Sequence, residues 1–202
     1  MRRESEGMGK RWLRLGVLMA VPLLAQPAPG PLETVRASNE RVQDILKGRE
    51  TISGAVREDL HRVIDEATDF TTISRRVTEP FCKKLAAAEC AEFDQTFRDL
   101  LRASSTRKLG RYRADRFDYL GEDVVGDAAT VRTVAFYKED SVRLDYRLER
   151  SGGRWVIVNY LVDDVDTVRN YKKQFLRLFA KNDFRGVIDR LKAKIAEIEA
   201  EQ

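Results

Sequence analysis

The feature that most constrains this chain is a hydrophobic period that changes twice. Up to about residue 112 the apolar residues recur at three- and four-residue steps; from Asp115 to Asp163 they alternate with polar ones; beyond Val165 the helical step returns. A 3.6-residue stripe buries one side of a helix and a two-residue alternation buries one face of a strand, and neither pattern serves the other element. The chain must therefore build helices, then an antiparallel meander, then helices again. Elements segregated in this way define an α+β fold. A curved antiparallel sheet with helices packed on its concave face is the natural way to bury so many one-sided helices.

The helical stretches are read from their stripes. Leu32 to Lys47 carries Leu32, Val35, Val42, Ile45 and Leu46 on one side, and Gly48 ends it. Ser53 to Ala67 carries Val56, Leu60, Val63 and Ile64. Asp69 can cap a short helix from Phe70 to Val77, and Pro80 suits the first turn of another. The longest helix is predicted from about Ala88 to Tyr112, with Cys90, Phe93, Phe97, Leu100, Leu101 and Tyr112 inward. In the alternating region, Val131, Thr133, Ala135 and Tyr137 share a face, as do Val142, Leu144, Tyr146 and Leu148; Lys138–Asp140 and Ser151–Gly153 are turn signals. Trp155 to Val162 is apolar on nearly both faces, so this strand is expected centrally, covered on both sides. Val168, Tyr171, Phe175, Leu178 and Phe179 stripe the next helix. A charged tail helix follows the break at Asn182 and Asp183.

Charge narrows the partners. Residues 1–25 set five cations against Glu4 and Glu6 and hold +3 of the chain's net +4, so residues 26–202 are close to neutral at +1. That balance lacks the footprint of a nucleic-acid binder. The same first residues read as an export signal. A basic stretch precedes eleven uncharged residues, Leu15 to Ala25, and then small residues and prolines from Gln26 to Pro31. The apolar run is short for a membrane span. An uncleaved N-terminal anchor is the alternative. Cleavage after Ala25 meets the small-residue rule at −1 but leaves Leu23 at −3. The expected organisation is a signal peptide over residues 1–25, a linker over 26–31 and one α+β domain over 32–202, exported to the periplasm.

Two cysteines remain, Cys82 and Cys90. Eight residues of unbroken helix would part them by roughly 12 Å, whereas a disulfide needs Cα atoms within about 7 Å. A bridge therefore requires a turn between them, expected near Ala87 to Glu89; two free buried thiols are the alternative.

No catalytic set stands out. GxSxG, P-loop and GxGxxG patterns are absent, and no His/Cys/Asp cluster has metal-ligand spacing. His61 lies on the polar side of a helix beside Asp59 and Arg62. Asp163, Asp164 and Asp166 crowd one turn without the spacing of a calcium loop, and Asp166 stands where it can cap the following helix.

Three segments carry a resemblance. WVIVNYLVDDVDTVRNYKKQFLRLFAKNDFRGVIDRL, from Trp155 to Leu191, runs a β-branched strand through an acidic turn into two helices. DFTTISRRV, from Asp69, joins Asp-Phe to an apolar residue and a basic pair. FDQTFRDLLRASSTRKLGRY, from Phe93, places Phe97, Leu100, Leu101, Leu109 and Tyr112 along a long helix. This ordered set resembles the MlaC, or toluene-tolerance, family of periplasmic phospholipid carriers. The family usually has Asp where Asn159 stands, Gly and Ser where Asp164 and Asp166 stand, and Tyr where Ser105 stands.

The resemblance implies a sheet of the NTF2-like type and a dry cavity between sheet and helices. Phospholipid is then the ligand, with no cofactor, metal or catalytic residue. It also implies the soluble, substrate-binding role in an ABC-type lipid transport system that maintains outer-membrane lipid asymmetry. Its partners would be an inner-membrane ABC lipid transporter complex and an outer-membrane lipoprotein complex. On that reading the lining candidates are Phe70, Ile73, Phe97, Leu101, Val134, Phe136, Leu144, Tyr146, Val158, Tyr160, Tyr171 and Phe175. Arg143 and Arg147 are within reach of a mouth, though ordinary solvated charge explains them as well. Two other readings stay open. One is an exported protein–protein interaction or chaperone domain with a packed core. The other is an NTF2-like enzyme using Asp145 as a base.

Overall fold

The two periods resolve into six helices and five strands in a computed structural model that describes residues 28–49, 51–111 and 113–201. The export-signal segment and Tyr112 lie outside the described residues. The order is α1 (Pro31–Leu46), α2 (Gly54–Ala67), α3 (Phe70–Cys82), α4 (Ala87–Arg111), β1 (Arg116–Val125), β2 (Ala128–Tyr137), β3 (Asp140–Ser151), β4 (Arg154–Val162), β5 (Val165–Asp166), α5 (Thr167–Phe179) and α6 (Phe184–Ala200). The fold is α+β, as the segregated periods require.

Local chemistry sets the helix ends. Pro31 opens α1, where its missing N–H costs nothing. Ser53, Asp69, Asp166 and Asp183 each cap a helix by accepting from a backbone N–H three residues on. Gly48, at φ 68°, takes the left-handed position just past α1.

The strands form one curved, unclosed sheet in the order β1-β2-β3-β4-β5, every neighbour antiparallel. Register aligns Phe117 with Ala135, Ala135 with Val142, Leu144 with Val162, and Tyr146 with Tyr160. These residues share the inner face. Val134, Phe136 and Asp145 alternate with them and belong to the outer face. α1 lies on the inner face, with Val35 fully buried among Val131, Tyr146, Leu148, Trp155 and Ile157. The other helices gather into a second apolar cluster around α4, containing Phe93, Phe97, Leu100, Leu101, Phe175 and Val187.

The structure corrects three sequence expectations and adds a feature they did not contain. β4 is buried on both faces from Trp155 to Asn159, but it is the penultimate strand rather than a central one. Its outer edge is completed by the two-residue β5 and by a bridge from Thr68 to Ile157. The apolar double face reflects that helical flank, since α2, α3 and α5 all pack on β4. α3 runs on to Cys82 with Pro80 inside it. Phe81, packed on Phe93, Phe175 and Phe179, holds that last turn. The turn between the cysteines comes earlier than expected, after Cys82 and ahead of Ala87, and there Cys82 and Cys90 are disulfide-bonded with Cα atoms 5.1 Å apart. A register shift at Arg147/Leu148 inserts Val158 as an extra residue of β4, a bulge that no periodicity announces.

Candidate functional site

The inner face of the sheet is only partly covered by α1. Past Asn39 the C-terminal half of α1 lifts over a cavity of about 1150 Å³. Its walls come from three directions. α1 supplies Val42 and Leu46, the end of α4 and the strand approach supply Leu109 and Ala114, and the sheet supplies Phe117, Ala135, Val142, Leu144 and Val162. The volume lies above the roughly 300–1,000 Å³ usual for small-molecule pockets, and these walls are apolar.

The floor is polar but internally satisfied. The Tyr146 hydroxyl donates to Asn39 Oδ1 at 3.1 Å, and Asn39 Nδ2 donates to the Tyr119 hydroxyl at 3.3 Å. Burial pushes the Tyr146 and Tyr119 pKa values up, so both stay neutral donors or acceptors across ordinary pH. Gln43 Nε2 donates to Ala114 O at 3.0 Å and ties α1 to the segment entering β1.

Charge is confined to the mouth. Lys47, Arg49, Lys108 and Arg113 stand there with Asp44, Asp115 and Asp163. Both α1 and α4 direct their carbonyl ends to this side, and these cations suit that polarity; Arg113 Nε donates to Gly110 O at 3.1 Å. Local burial of its ammonium, and Arg107 beside it, push the Lys108 pKa down although the residue as a whole is exposed. Asp115 accepts from the Lys138 amide at 2.8 Å, and Asp163 from the Arg143 amide at 3.0 Å.

Of the twelve residues expected to line a pocket, Leu144 is at this cavity. Tyr146 meets it only through Asn39. Phe70, Ile73, Phe97, Leu101 and Phe175 are buried in the helical cluster, with Tyr171 packed against it. Phe97 stacks edge-on against Tyr171 and Phe175 at 4.9 and 5.0 Å. Tyr160 bridges the two clusters, its hydroxyl sharing a hydrogen bond with Thr68 Oγ1. Val158 is 2% exposed, in the bulge. Val134 and Phe136 are half-buried on the opposite face, where Arg116 covers the Phe136 ring. Arg143 pairs with Asp145 and Asp164, and Arg147 with Asp166.

The residues that sequence reasoning missed as lining are Asn39, Val42, Leu46, Leu109, Ala114, Phe117, Ala135, Val142 and Val162. Several are small, and that was the available signal. A void exists where side chains stop short, so Ala114 and Ala135 mark it better than any aromatic ring.

Asp145 is held by Arg143 at 3.1 Å, on the sheet face opposite the cavity. His61 sits half-buried on α2, its pKa lowered by burial and by Arg102. A second depression, about 560 Å³, lies between α2, α3, α4 and the start of β4. Its arginines are engaged within it: Arg102 forks onto Asp65, and Arg98 donates to Thr71 and Gln95.

A curved open sheet roofed by one helix over an apolar cavity, with charge only at the mouth, defines a binding protein for a molecule with a greasy body and a polar end. The MlaC protein family model matches residues 36–193, and the chain belongs to that family. Among solved structures, it is similar to the phospholipid-binding protein from Ralstonia solanacearum in complex with a phospholipid. The TM-score is 0.70 at 20% sequence identity, covering 85% of this chain and 99% of that one. The comparison with curated proteins returns no match.

Proposed function

We propose that the protein is a phospholipid carrier whose acyl chains occupy the cavity between α1, the end of α4 and the inner face of the sheet. The observation that carries this reading is the cavity itself: about 1150 Å³ with apolar walls and a charged mouth. Membership of the MlaC family and the phospholipid-bound relative of the same fold support it.

The physical task is to shelter hydrocarbon. Each methylene withdrawn from water is worth about 0.8 kcal/mol, so two ordinary acyl chains face a barrier of order 20 kcal/mol in free solution. The walls Val42, Leu46, Leu109, Ala135, Val142 and Val162 offer a dry alternative. The headgroup stays in water, where its phosphate meets Lys47, Arg49 and Lys108. No bond is made or broken, so the chain acts as a carrier rather than an enzyme. It works in the periplasm after export by its first 25 residues, as the soluble component of an ABC-type lipid transport system. It exchanges lipid with an inner-membrane transporter complex and an outer-membrane lipoprotein complex.

Lipid extraction from protein purified without detergent tests the reading. Phospholipid should be recovered at a fixed ratio to protein. Protein that yields none, even after incubation with liposomes, supports the packed interaction domain instead.

A further inference from the structure

α5 carries an unbalanced charge. From Thr167 to Asn182 the chain holds Arg169, Lys172, Lys173, Arg177 and Lys181 and no carboxylate. Four of these, Arg169, Lys173, Arg177 and Lys181, are exposed and follow one another at four-residue steps. At 100° per residue the three within α5, Arg169, Lys173 and Arg177, fall on the side opposite Phe175, which is 2% exposed in the core. The three on the helix form a row about 12 Å long at 1.5 Å per residue, and Lys181 follows in the turn just past its C-cap, Ala180. None of the five takes part in an ion pair among the described residues, whereas many cations elsewhere do, among them Arg41 with Glu66, Arg76 with Glu149 and Arg102 with Asp65. The Asp166 carboxylate near Arg169 is already bonded to Arg147.

The row is unfavourable to the fold that contains it. Like charges four residues apart on a helix repel. Arg177 and Lys181 gain from the carbonyl end of α5, but Arg169 sits in the first turn, where the helix dipole disfavours a cation. Between the charges stands Leu176, 62% exposed, and Val165 just ahead of the helix is 54% exposed. The two cavities described above draw no residue from α5.

We propose that this face of α5 docks the protein on an anionic lipid surface. A straight row of unpaired cations with long apolar stems, interrupted by an exposed leucine, suits a plane of charged headgroups with hydrocarbon just beneath it. The placement fits delivery. α5 begins four residues after Asp163, which lines the cavity with Val162, so a membrane under α5 lies near the cavity's sheet wall.

The test is co-sedimentation of the protein with vesicles of phosphatidylcholine, with or without phosphatidylglycerol, at low and high salt. Binding should need phosphatidylglycerol and should fall away at high salt, where screening shortens the reach of charge. R169E/K173E/R177E should bind at least tenfold more weakly. R75E/K138E/K194E, an equal charge change away from α5, should bind like the parent. Charge in residues 1–25 is common to all variants, so differences among them report α5. R169Q/K173Q/R177Q, which introduces no new charge, should give an intermediate loss and serves if the reversal variant does not fold. Equal binding by the α5 and control variants overturns the proposal. So does unchanged vesicle binding with loss of a cross-link to an acidic protein, which assigns the face to a protein partner. Phospholipid load, read separately, distinguishes the two ideas. Lipid-free protein that still needs α5 for vesicle binding keeps this proposal and ends the carrier reading; loaded protein indifferent to vesicles does the reverse.

Discussion

The Tyr146 hydroxyl donates to Asn39 Oδ1 at 3.1 Å, across 107 residues of chain. This bond fixes α1 on the inner face of β3 at the point where close packing stops and the cavity starts. Both residues are buried, Tyr146 at 4% and Asn39 at 9% exposure. Tyr146→Phe leaves the Asn39 oxygen without that donor, which costs about 1–3 kcal/mol when a buried polar atom is orphaned. The urea midpoint should drop accordingly. The double variant Asn39→Leu with Tyr146→Phe should recover part of the loss, because neither buried partner of this bond is then stranded and the half-buried Tyr119 hydroxyl, which loses its donor Asn39, can turn to water.

Bulk placed in the void should behave unlike bulk placed in the core. Ala135→Trp or Val142→Trp projects a ring into the cavity, so bound phospholipid should fall severalfold while the melting temperature holds. Phe97→Trp and Val158→Trp enter packed sites, where overpacking costs typically 1–3 kcal/mol. Those two should lower the melting temperature. A stable Phe97→Trp protein that has lost its lipid would place the tails among the aromatic residues instead.

The contrast shows where sequence reasoning reached and where it stopped. Helix stripes, the strand alternation and the Asp166 cap were legible because each is a local rule. The inner face of β2 is half-legible: Val131, Thr133 and Ala135 share a face as the alternation requires, yet the resemblance points to Val134 and Phe136 as lining, and a one-residue difference in facing puts these on the opposite side. Aromatic residues fill space. Phe93, Phe97, Phe175 and Phe179 meet edge to face with centroids 4.9 to 5.4 Å apart where they touch, the geometry in which aromatic rings pack in a core. The bulge at Val158 and the lift of α1 past Asn39 depend on long-range packing, which no periodicity encodes.

Alkaline unfolding follows from the buried tyrosines. Burial pushes Tyr160 up to about 12, and it raises Tyr146, Tyr119 and Tyr171 as well. A free tyrosine titrates near 10. The folded state holds these hydroxyls neutral, so their contribution is complete below about pH 10 and fades as pH rises toward the folded values. Tyrosinate absorbance from these residues should appear together with loss of helical circular dichroism above about pH 10. A smooth titration near 10 with the helices intact would contradict their burial.

Reducing Cys82–Cys90 should lower stability by about 2–3 kcal/mol, the loop-closure value for a short bridge. The bridge joins the end of α3 to the start of α4, far along α4 from Lys108 and Leu109 at the cavity. Lipid load at low temperature should therefore survive reduction, while the melting temperature should not.

Photo-cross-linking from a phospholipid with a diazirine near the end of one acyl chain tests the central claim most directly. Labelled peptides, mapped by mass spectrometry, should contain Val42, Leu46, Ala135, Val142 or Val162. Labelling confined to Val134 and Phe136 on the outer face, or to the packed aromatic residues of α3, α4 and α5, would contradict the account.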